Sequence, residues 1–161
     1  MKQNQNSKLN PIIYFVICLI FMIMFNLYTT NFILNNISII NDNFKLIDLV
    51  YIQNTGAAFS SFQHMTTLLI IISIIAILAI TYELIRNYKK YSLLLFLFSS
   101  ILIAGIFCNT LERITLGYVQ DFISFKFITF PVFNISDILI NFGVLAIMYL
   151  IITKKYLKND E

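Results

Sequence analysis

Residues 68–80 read LLIIISIIAILAI, and this stretch decides the fold of the chain. A helix on the surface of a soluble protein carries polar residues along one face at helical period, and no such stripe interrupts this run. Residues 92–107 lack a polar stripe in the same way. Both stretches are therefore predicted to be helices that cross a membrane, with lipid as the solvent on at least one side.

Two further apolar blocks, one near each end of the chain, extend this pattern. Of the 161 residues, 59% are hydrophobic and only 12% are charged, whereas an average soluble domain carries about 25% charged residues. We therefore predict an all-α membrane protein with four transmembrane helices and a small extracytoplasmic β-rich region, folded as a single integral membrane domain over residues 1–161. The helices are predicted at about 11–28, 65–82, 91–107 and 135–152, with outer segments at 29–64 and 108–134.

The basic residues predict the orientation of the chain. Eight of the eleven lysines and arginines precede the first helix, connect the second and third, or follow the fourth: Lys2, Lys8, Arg86, Lys89, Lys90, Lys154, Lys155 and Lys158. The positive-inside rule therefore places both termini and the 83–90 loop in the cytoplasm. The net charge of +3 then reflects topology, and no nucleic-acid partner is expected. We expect the first helix to be retained, because residues 26–30 (NLYTT) lack a signal-peptide cleavage site.

The two outer segments are longer than the loops of about two to eight residues that usually connect bundled helices. Residues 44–52 (FKLIDLVYI) are predicted to form a strand, and the turn residues Asn54, Thr55 and Gly56 follow it. Residues 121–133 are also predicted to be extended. Long outer segments of this kind often carry function.

Asp137 lies at the start of the fourth helix, inside an apolar stretch. Asn134 precedes it by three residues and Asn141 follows it by four, so the three side chains share one helix face. One interpretation is that Asn134 caps the helix and that Asp137 favours its positive end. That interpretation leaves Asn141 unexplained, so a functional role for Asp137 stays open beside it.

A second polar row, Asn109, Glu112 and Arg113, ends the third helix, and Asp121 follows it. Glu112 and Arg113 form an ordinary interfacial pair in one interpretation, with Asp121 as a salt-bridge partner of Arg113. In the other, Asp121 meets Asp137, which lies at the same depth. Two adjacent carboxyl groups share a proton, so that one activates water while the other polarises an amide carbonyl.

Other chemistries have less support in the sequence. His64 is the only histidine, and Cys18 and Cys108 have no basic neighbour that would favour a thiolate. The chain contains no phosphate-binding loop and no spacing typical of metal ligands. We therefore expect no metal and no cofactor.

Four blocks of sequence resemble the lipoprotein signal peptidase (signal peptidase II) family, which comprises four-helix membrane aspartyl proteases of bacteria. Residues 54–60 (NTGAAFS) are similar to the family's N-x-G-A-A-F-S, and residues 109–113 (NTLER) are similar to the last five positions of G-N-x-x-D-R. Residues 117–122 (GYVQDF) match G-Y-V-x-D-F, and residues 133–137 (FNISD) resemble F-N-x-A-D. The blocks occur in the family's order, and the resemblance covers nearly the whole chain.

The resemblance implies that Asp121 and Asp137 are the catalytic pair. It also implies that five residues support the pair or bind substrate: Asn54, Gly56, Asn109, Arg113 and Asn134. The implied substrate is a prolipoprotein whose cysteine already carries diacylglycerol, cut on the amino side of that cysteine. The implied location is the bacterial cell membrane, with the active site at its outer face, membrane lipids as partners and a monomer as the working unit.

The sequence departs from the family pattern at several positions, which indicates a divergent member. The family's D-x-x-T-K stands here as residues 26–30, so that Asn26 replaces the acid and Thr30 the lysine. Glu112 replaces an aspartate and Ser136 an alanine. Two alternatives therefore stay open: a relative that binds lipoproteins without cutting them, and a small transporter or channel subunit. Residues 143–152 and 68–80 argue against a transporter, because they offer almost no polar path.

Overall fold

The computed structural model describes residues 10–37, 45–56 and 65–158. Within these ranges, four helices are long and apolar enough to cross a membrane, and two short strands accompany them. The elements are α1 (Pro11–Asn35), β1 (Ile47–Asn54), α2 (Thr66–Arg86), α3 (Leu93–Leu116), β2 (Val119–Phe125) and α4 (Ile135–Ile152). The predicted fold class, four membrane-spanning helices with a small β region, is confirmed.

α3 is the central helix of the bundle, and α1, α2 and α4 pack against it. Its most apolar window is 67% buried, against 11% for α1, 6% for α2 and 17% for α4. Phe96 and Ile103 of α3 form a core with Phe15 of α1, Leu84 of α2 and Leu150 of α4. The three outer helices expose many isoleucine, leucine and phenylalanine side chains, as helices that face lipid do.

α3 and α4 approach closely at two glycines. A Cβ atom added at Gly105 would lie 2.6 Å from the backbone oxygen of Ser136, and one added at Gly143 would lie 2.8 Å from the Cβ of Leu102. Small residues allow this close packing between membrane helices. The first turn of α4, which contains Ser136, therefore rests directly on α3.

Two helices are longer than predicted. α1 continues to Asn35 and α3 to Leu116, so the predicted ends at 28 and 107 are wrong. The polar residues near those ends do not stop the helices, because they face the protein interior: Asn26, Thr30, Asn109 and Thr110 are buried. α3 ends at Gly117, whose φ of 85° is the left-handed conformation that commonly terminates a helix.

β1 and β2 form an antiparallel pair that runs from Ile47 opposite Phe125 to Asn54 opposite Val119. The strand predicted at 44–52 therefore lies at 47–54, and Phe44 lies outside the described residues. Of the extended stretch predicted at 121–133, β2 accounts for the first part, and Phe133 returns to bridge Ile123. The continued end of α1 packs beneath this sheet and so fixes it to the bundle.

The opposite end of the bundle brings two basic segments together. Ser92 N donates to Tyr156 O at 2.8 Å, and Lys158 N donates to Lys90 O at 2.8 Å. The connection between α2 and α3 therefore lies beside the segment that follows α4, at the end away from the sheet. That this end faces the cytoplasm stays a prediction.

Candidate active site

The structure brings the seven predicted site residues together where the sheet meets the C-terminal end of α3 and the N-terminal end of α4. Asn54 ends β1, Asp121 lies in β2, and Gly56 follows β1 by two residues. Asn109 and Arg113 lie one turn apart on α3. Asn134 is the N-cap of α4 and Asp137 lies in its first turn.

The side chains of Asp137 and Asn134 form a capping box at the start of α4. Asn134 Oδ1 accepts from Asp137 N at 2.9 Å, and Asp137 Oδ2 accepts from Asn134 N at 3.1 Å. Asn109 Nδ2 donates to the other carboxylate oxygen, Oδ1, at 2.9 Å. The cap that the sequence indicated is therefore present, and the same carboxylate also faces the cavity described below.

Asp121 is held by two asparagines and is only 2% exposed. Its Oδ2 accepts from Asn54 Nδ2 at 2.8 Å, and its Oδ1 accepts from Asn134 Nδ2 at 2.9 Å. Asn134 Nδ2 also donates to Asn109 Oδ1 at 3.1 Å. Asn134 and Asn109 thus form a continuous hydrogen-bonded bridge between the two carboxyl groups.

Burial raises the pKa of Asp121 from its ordinary value of 3.8 to about 7. The negative charges of Asp137 and Glu112 add to this rise in pKa. The hydrogen bonds from Asn54 and Asn134 favour the ionised form and oppose the rise, but burial outweighs them. A carboxyl group with this pKa holds a proton during part of the time at neutral pH.

Arg113 connects α3 to the turn that follows β1. Its Nη2 donates to Gly56 O at 2.9 Å and its Nη1 donates to Asn109 O at 3.3 Å. Gly56 N donates to Asn54 Oδ1 at 2.9 Å, which closes the turn. Among the described residues, Arg113 contacts these backbone oxygens and not the carboxylate of Asp121, and its buried Nε has no hydrogen-bond partner. This Nε is a donor left available beside the cavity.

Glu112 connects the end of α3 to the start of β2. Its Oε2 accepts from Gln120 N at 2.7 Å. Gln120 precedes Asp121, so this bond fixes the strand that carries the carboxyl group. Glu112, a position at which the sequence departs from the motif it resembles, therefore has a defined hydrogen-bond partner in this chain.

The carboxyl groups line a cavity of about 930 Å³ whose other walls are mainly apolar. Six aromatic or aliphatic side chains form much of the lining: Phe125, Phe130, Phe133, Ile138, Phe142 and Leu145. Ile138, Phe142 and Leu145 lie on the exposed face of α4, down to two turns below Asp137. Part of the cavity wall therefore belongs to the exposed apolar face of a helix that is long and apolar enough to cross a membrane. The sequence contained no signal for this wall, because its residues resemble any others that face lipid.

The structure shows the contacts of two polar side chains, Asn141 and Asn26, whose role the sequence did not indicate. Asn141, one turn below Asp137, lines the cavity and donates to Asp137 O at 2.8 Å. Asn26 of α1 is 2% exposed and donates to Ser136 Oγ at 2.9 Å. The signal for Asn26 in the sequence was its position as a polar residue within an apolar span. His64 and residues 57–60 lie outside the described part of the chain.

Comparison with known proteins identifies relatives over most of the sequence. A family model described as signal peptidase (SPase) II matches residues 8–153. A lipoprotein signal peptidase of Enterococcus faecalis is 37% identical over 119 residues, which are 71% of this chain and 71% of that protein. Another from Caldicellulosiruptor bescii is 39% identical over 110 residues, covering 66% of this chain and 68% of that protein.

Two solved structures share the fold, and both are described as bacterial membrane enzymes determined by the in meso method. One has a TM-score of 0.75 and 27% identity, covering 91% of each chain. The other has a TM-score of 0.71 and 29% identity, covering 85% of this chain and 91% of that one. The structural similarity therefore extends over most of the chain.

Proposed function

Since the chain belongs to the signal peptidase II family, we propose that it is an aspartic endopeptidase that removes signal peptides from prolipoproteins within the membrane. One observation carries the catalytic assignment. Asp121 and Asp137, from different elements, are joined through Asn134 and Asn109 at a cavity whose wall includes exposed apolar side chains of α4.

The two carboxyl groups divide the work of hydrolysis. Asp121 is almost fully buried and its pKa is raised to about 7, so it is the group that keeps the shared proton. Asp137 is more accessible and acts as the base. Because the two groups titrate as a pair, the active form is the one that carries a single proton.

The reaction begins when water attacks the carbonyl carbon of the scissile amide. Asp137 accepts a proton from the water while Asp121 donates its proton to the carbonyl oxygen. The resulting tetrahedral diol collapses as the carbon–nitrogen bond breaks. Asp137 then protonates the leaving nitrogen and Asp121 recovers a proton from the diol, which restores both groups.

The cavity suits a substrate that carries acyl chains. Its aromatic and aliphatic wall accommodates apolar groups. Because Ile138, Phe142 and Leu145 of that wall are exposed on α4, a membrane-anchored chain can reach the cavity from the bilayer. The unpaired Nε of Arg113 offers a donor to a substrate carbonyl. These features support a prolipoprotein modified with diacylglycerol on its cysteine as the substrate, cut on the amino side of that cysteine.

The proposal places the active site at the outer face of the bacterial cell membrane, with both termini in the cytoplasm. The positive-inside rule supports this orientation, because the basic segments at residues 86–90 and 154–158 share the end away from the site. A single chain supplies both carboxyl groups and their bridge, which supports a monomer as the working unit. Membrane lipids then surround the three outer helices.

A transporter or channel is not favoured by the packing below the site. Gly143 of α4 lies directly against Leu102 of α3, so the two helices close on each other there. A polar path from the cavity towards the other face would have to pass this apolar contact.

The test is cleavage of a purified diacylglyceryl-modified prolipoprotein by the purified protein in lipid nanodiscs. We expect the wild-type protein to release the signal peptide, and Asp121→Asn and Asp137→Asn each to abolish the release by about 10⁴-fold or more. Circular dichroism checks that both variants stay folded. Near-normal turnover by either variant would contradict the catalytic assignment, and substrate binding without cleavage by the wild type would identify a non-catalytic relative.

A further inference from the structure

Three buried polar side chains lie where α1 meets the first turn of α4, and we name them the α1–α4 bracket: Asn26, Thr30 and Ser136. Their exposed fractions are 2%, 7% and 3%. Asn26 Nδ2 donates to Ser136 Oγ at 2.9 Å, and Thr30 Oγ1 donates to Asn26 Oδ1 at 3.3 Å. Both ends of the Asn26 amide are therefore hydrogen-bonded, and the bracket carries no charge.

The bracket is specific to one arrangement of the two helices. A buried amide that loses its partner is strongly disfavoured, because no water is available to replace it. Asn26 can donate to Ser136 only when the first turn of α4 lies at the level of Asn26 along α1. The 2.9 Å bond thus fixes both the depth and the rotation of the first turn of α4 relative to α1.

Ser136 immediately precedes Asp137 and lies within the capping box that Asn134 begins. The same turn rests on α3, where the backbone oxygen of Ser136 packs on Gly105. The turn is therefore held from two sides, by α3 and by the bracket. Among the described residues that line the cavity, none belongs to α1, so α1 affects the site from outside.

The three members of the bracket are also positions at which the sequence departs from the family pattern. An acid, a lysine and an alanine in that pattern are replaced here by Asn26, Thr30 and Ser136, and the three replacements contact one another. Asn26 thus supplies the hydrogen-bond partner of both Ser136 and Thr30.

We propose that Asn26, together with Thr30, is a positioning residue that acts through Ser136 to hold Asp137 at its distance from Asp121. The proposal rests on the function proposed above, and it adds residues outside the cavity that affect the rate of the reaction. Because no bracket residue lines the cavity, substrate binding does not depend on it. The bracket acts on the alignment of the carboxyl groups and hence on the chemical step.

The experiment measures kcat and KM for cleavage of a diacylglyceryl-modified prolipoprotein in nanodiscs. The variants are Asn26→Leu, Ser136→Ala and the double variant, with Ser100→Ala as the matched control. Ser100 is a fully buried hydroxyl of α3 that, among the described residues, donates only within its own helix, to Leu97 O. Ser136→Ala removes a single oxygen atom, so it tests the bracket even if Asn26→Leu folds poorly.

We expect each single variant to lower kcat by about tenfold, as a displaced catalytic group does, with KM changed by less than about twofold. The double variant should be no slower than the slower single variant, because both remove the same bond. The pH profile of kcat should also change in the single variants, and Ser100→Ala should match the wild type. Thr30→Val should reduce kcat by less, and Thr30→Ser should restore it.

Three results would overturn the inference: an unchanged kcat in Ser136→Ala, effects that add in the double variant, or an equal loss of kcat in Ser100→Ala. The proposed function fails separately, if the wild type does not cleave or if the Asp121→Asn and Asp137→Asn variants do. A wild type that cleaves and dyad variants that do not, with full activity in Ser136→Ala, would reject the bracket alone.

Discussion

α2 and α3 are similar as stretches of sequence but differ in their place in the molecule. Their most apolar windows have mean hydropathies of 2.7 and 2.2, and either value suffices for a membrane span. Yet α2 is 6% buried in that window and α3 is 67% buried. α2 touches the site at no described cavity-lining position, whereas α3 supplies Asn109 and Arg113.

The difference follows from small and polar residues. α3 buries Ser99, Ser100, Gly105, Asn109 and Thr110, and such residues let membrane helices approach and hydrogen-bond. α2 buries only Leu84 among its described residues. A helix that is apolar all round contacts lipid, whereas one that is apolar with small and polar positions becomes the centre of the bundle.

The largest expected effect comes from Asn109→Leu in α3. The change removes the donor to Asp137 Oδ1 and the acceptor for Asn134 Nδ2 together, so the bridge between the carboxyl groups is broken. We expect kcat to fall by about 10²-fold or more, as when a single preorganised donor is removed from an active site. Ser73→Leu in α2 is the matched change and should leave kcat within about twofold of the wild type. Equal losses of kcat in the two variants would contradict the different roles assigned to α3 and α2.

Gly105→Ala in α3 should have an intermediate effect. The added methyl group would lie 2.6 Å from Ser136 O, so the first turn of α4 must move away from α3. We expect a loss of stability of about 1–3 kcal/mol, the usual cost of overpacking, together with a fall in kcat of about tenfold. Thermal unfolding in nanodiscs and peptide cleavage measure the two effects. Ala79→Val adds bulk at an exposed position of α2, away from the contact between Gly105 and Ser136, and a comparable loss there would refute this explanation.

The smallest expected effect on kcat comes from a change of pH. The pKa of Asp121 is about 7 in the folded protein and 3.8 as its ordinary value, so the folded state binds more protons between these limits. Stability should therefore fall as the pH rises from about 4 to about 7, and kcat should fall above about pH 7 as the shared proton is lost. Asp121→Asn should flatten the stability profile. A stability profile that keeps its full slope between about pH 4 and about pH 7 in this variant would contradict this origin of the pH dependence.

Several features of the site were predictable from the sequence for physical reasons. Three charged residues were recognisable as candidates because charged residues are rare at membrane depth. They are Asp121, Asp137 and Arg113. The three-and-four spacing of Asn134, Asp137 and Asn141 predicted that the three residues are neighbours, and hydrogen bonds join them in that order. The strand before Asn54 was correct in kind and displaced by a few residues.

Other features depended on contacts between distant residues. The ends of α1 and α3 were misplaced because their polar residues are satisfied by other helices, which a local pattern does not contain. Asn26 and Ser136 are 110 residues apart in the chain and meet only in the folded bundle. One interpretation of the sequence was a salt bridge between Arg113 and Asp121. In the structure, Arg113 instead donates to the backbone oxygens of Gly56 and Asn109.

The sequence by itself determined the four spans, because the free energy of moving a side chain from water into an apolar medium is a local property. It also determined which few polar groups had to be explained. The tertiary structure decided which span lies at the centre and which carboxyl groups meet. Hydropathy does not distinguish lipid from protein interior as the apolar medium, and that distinction is made only when helices pack and their polar groups find partners.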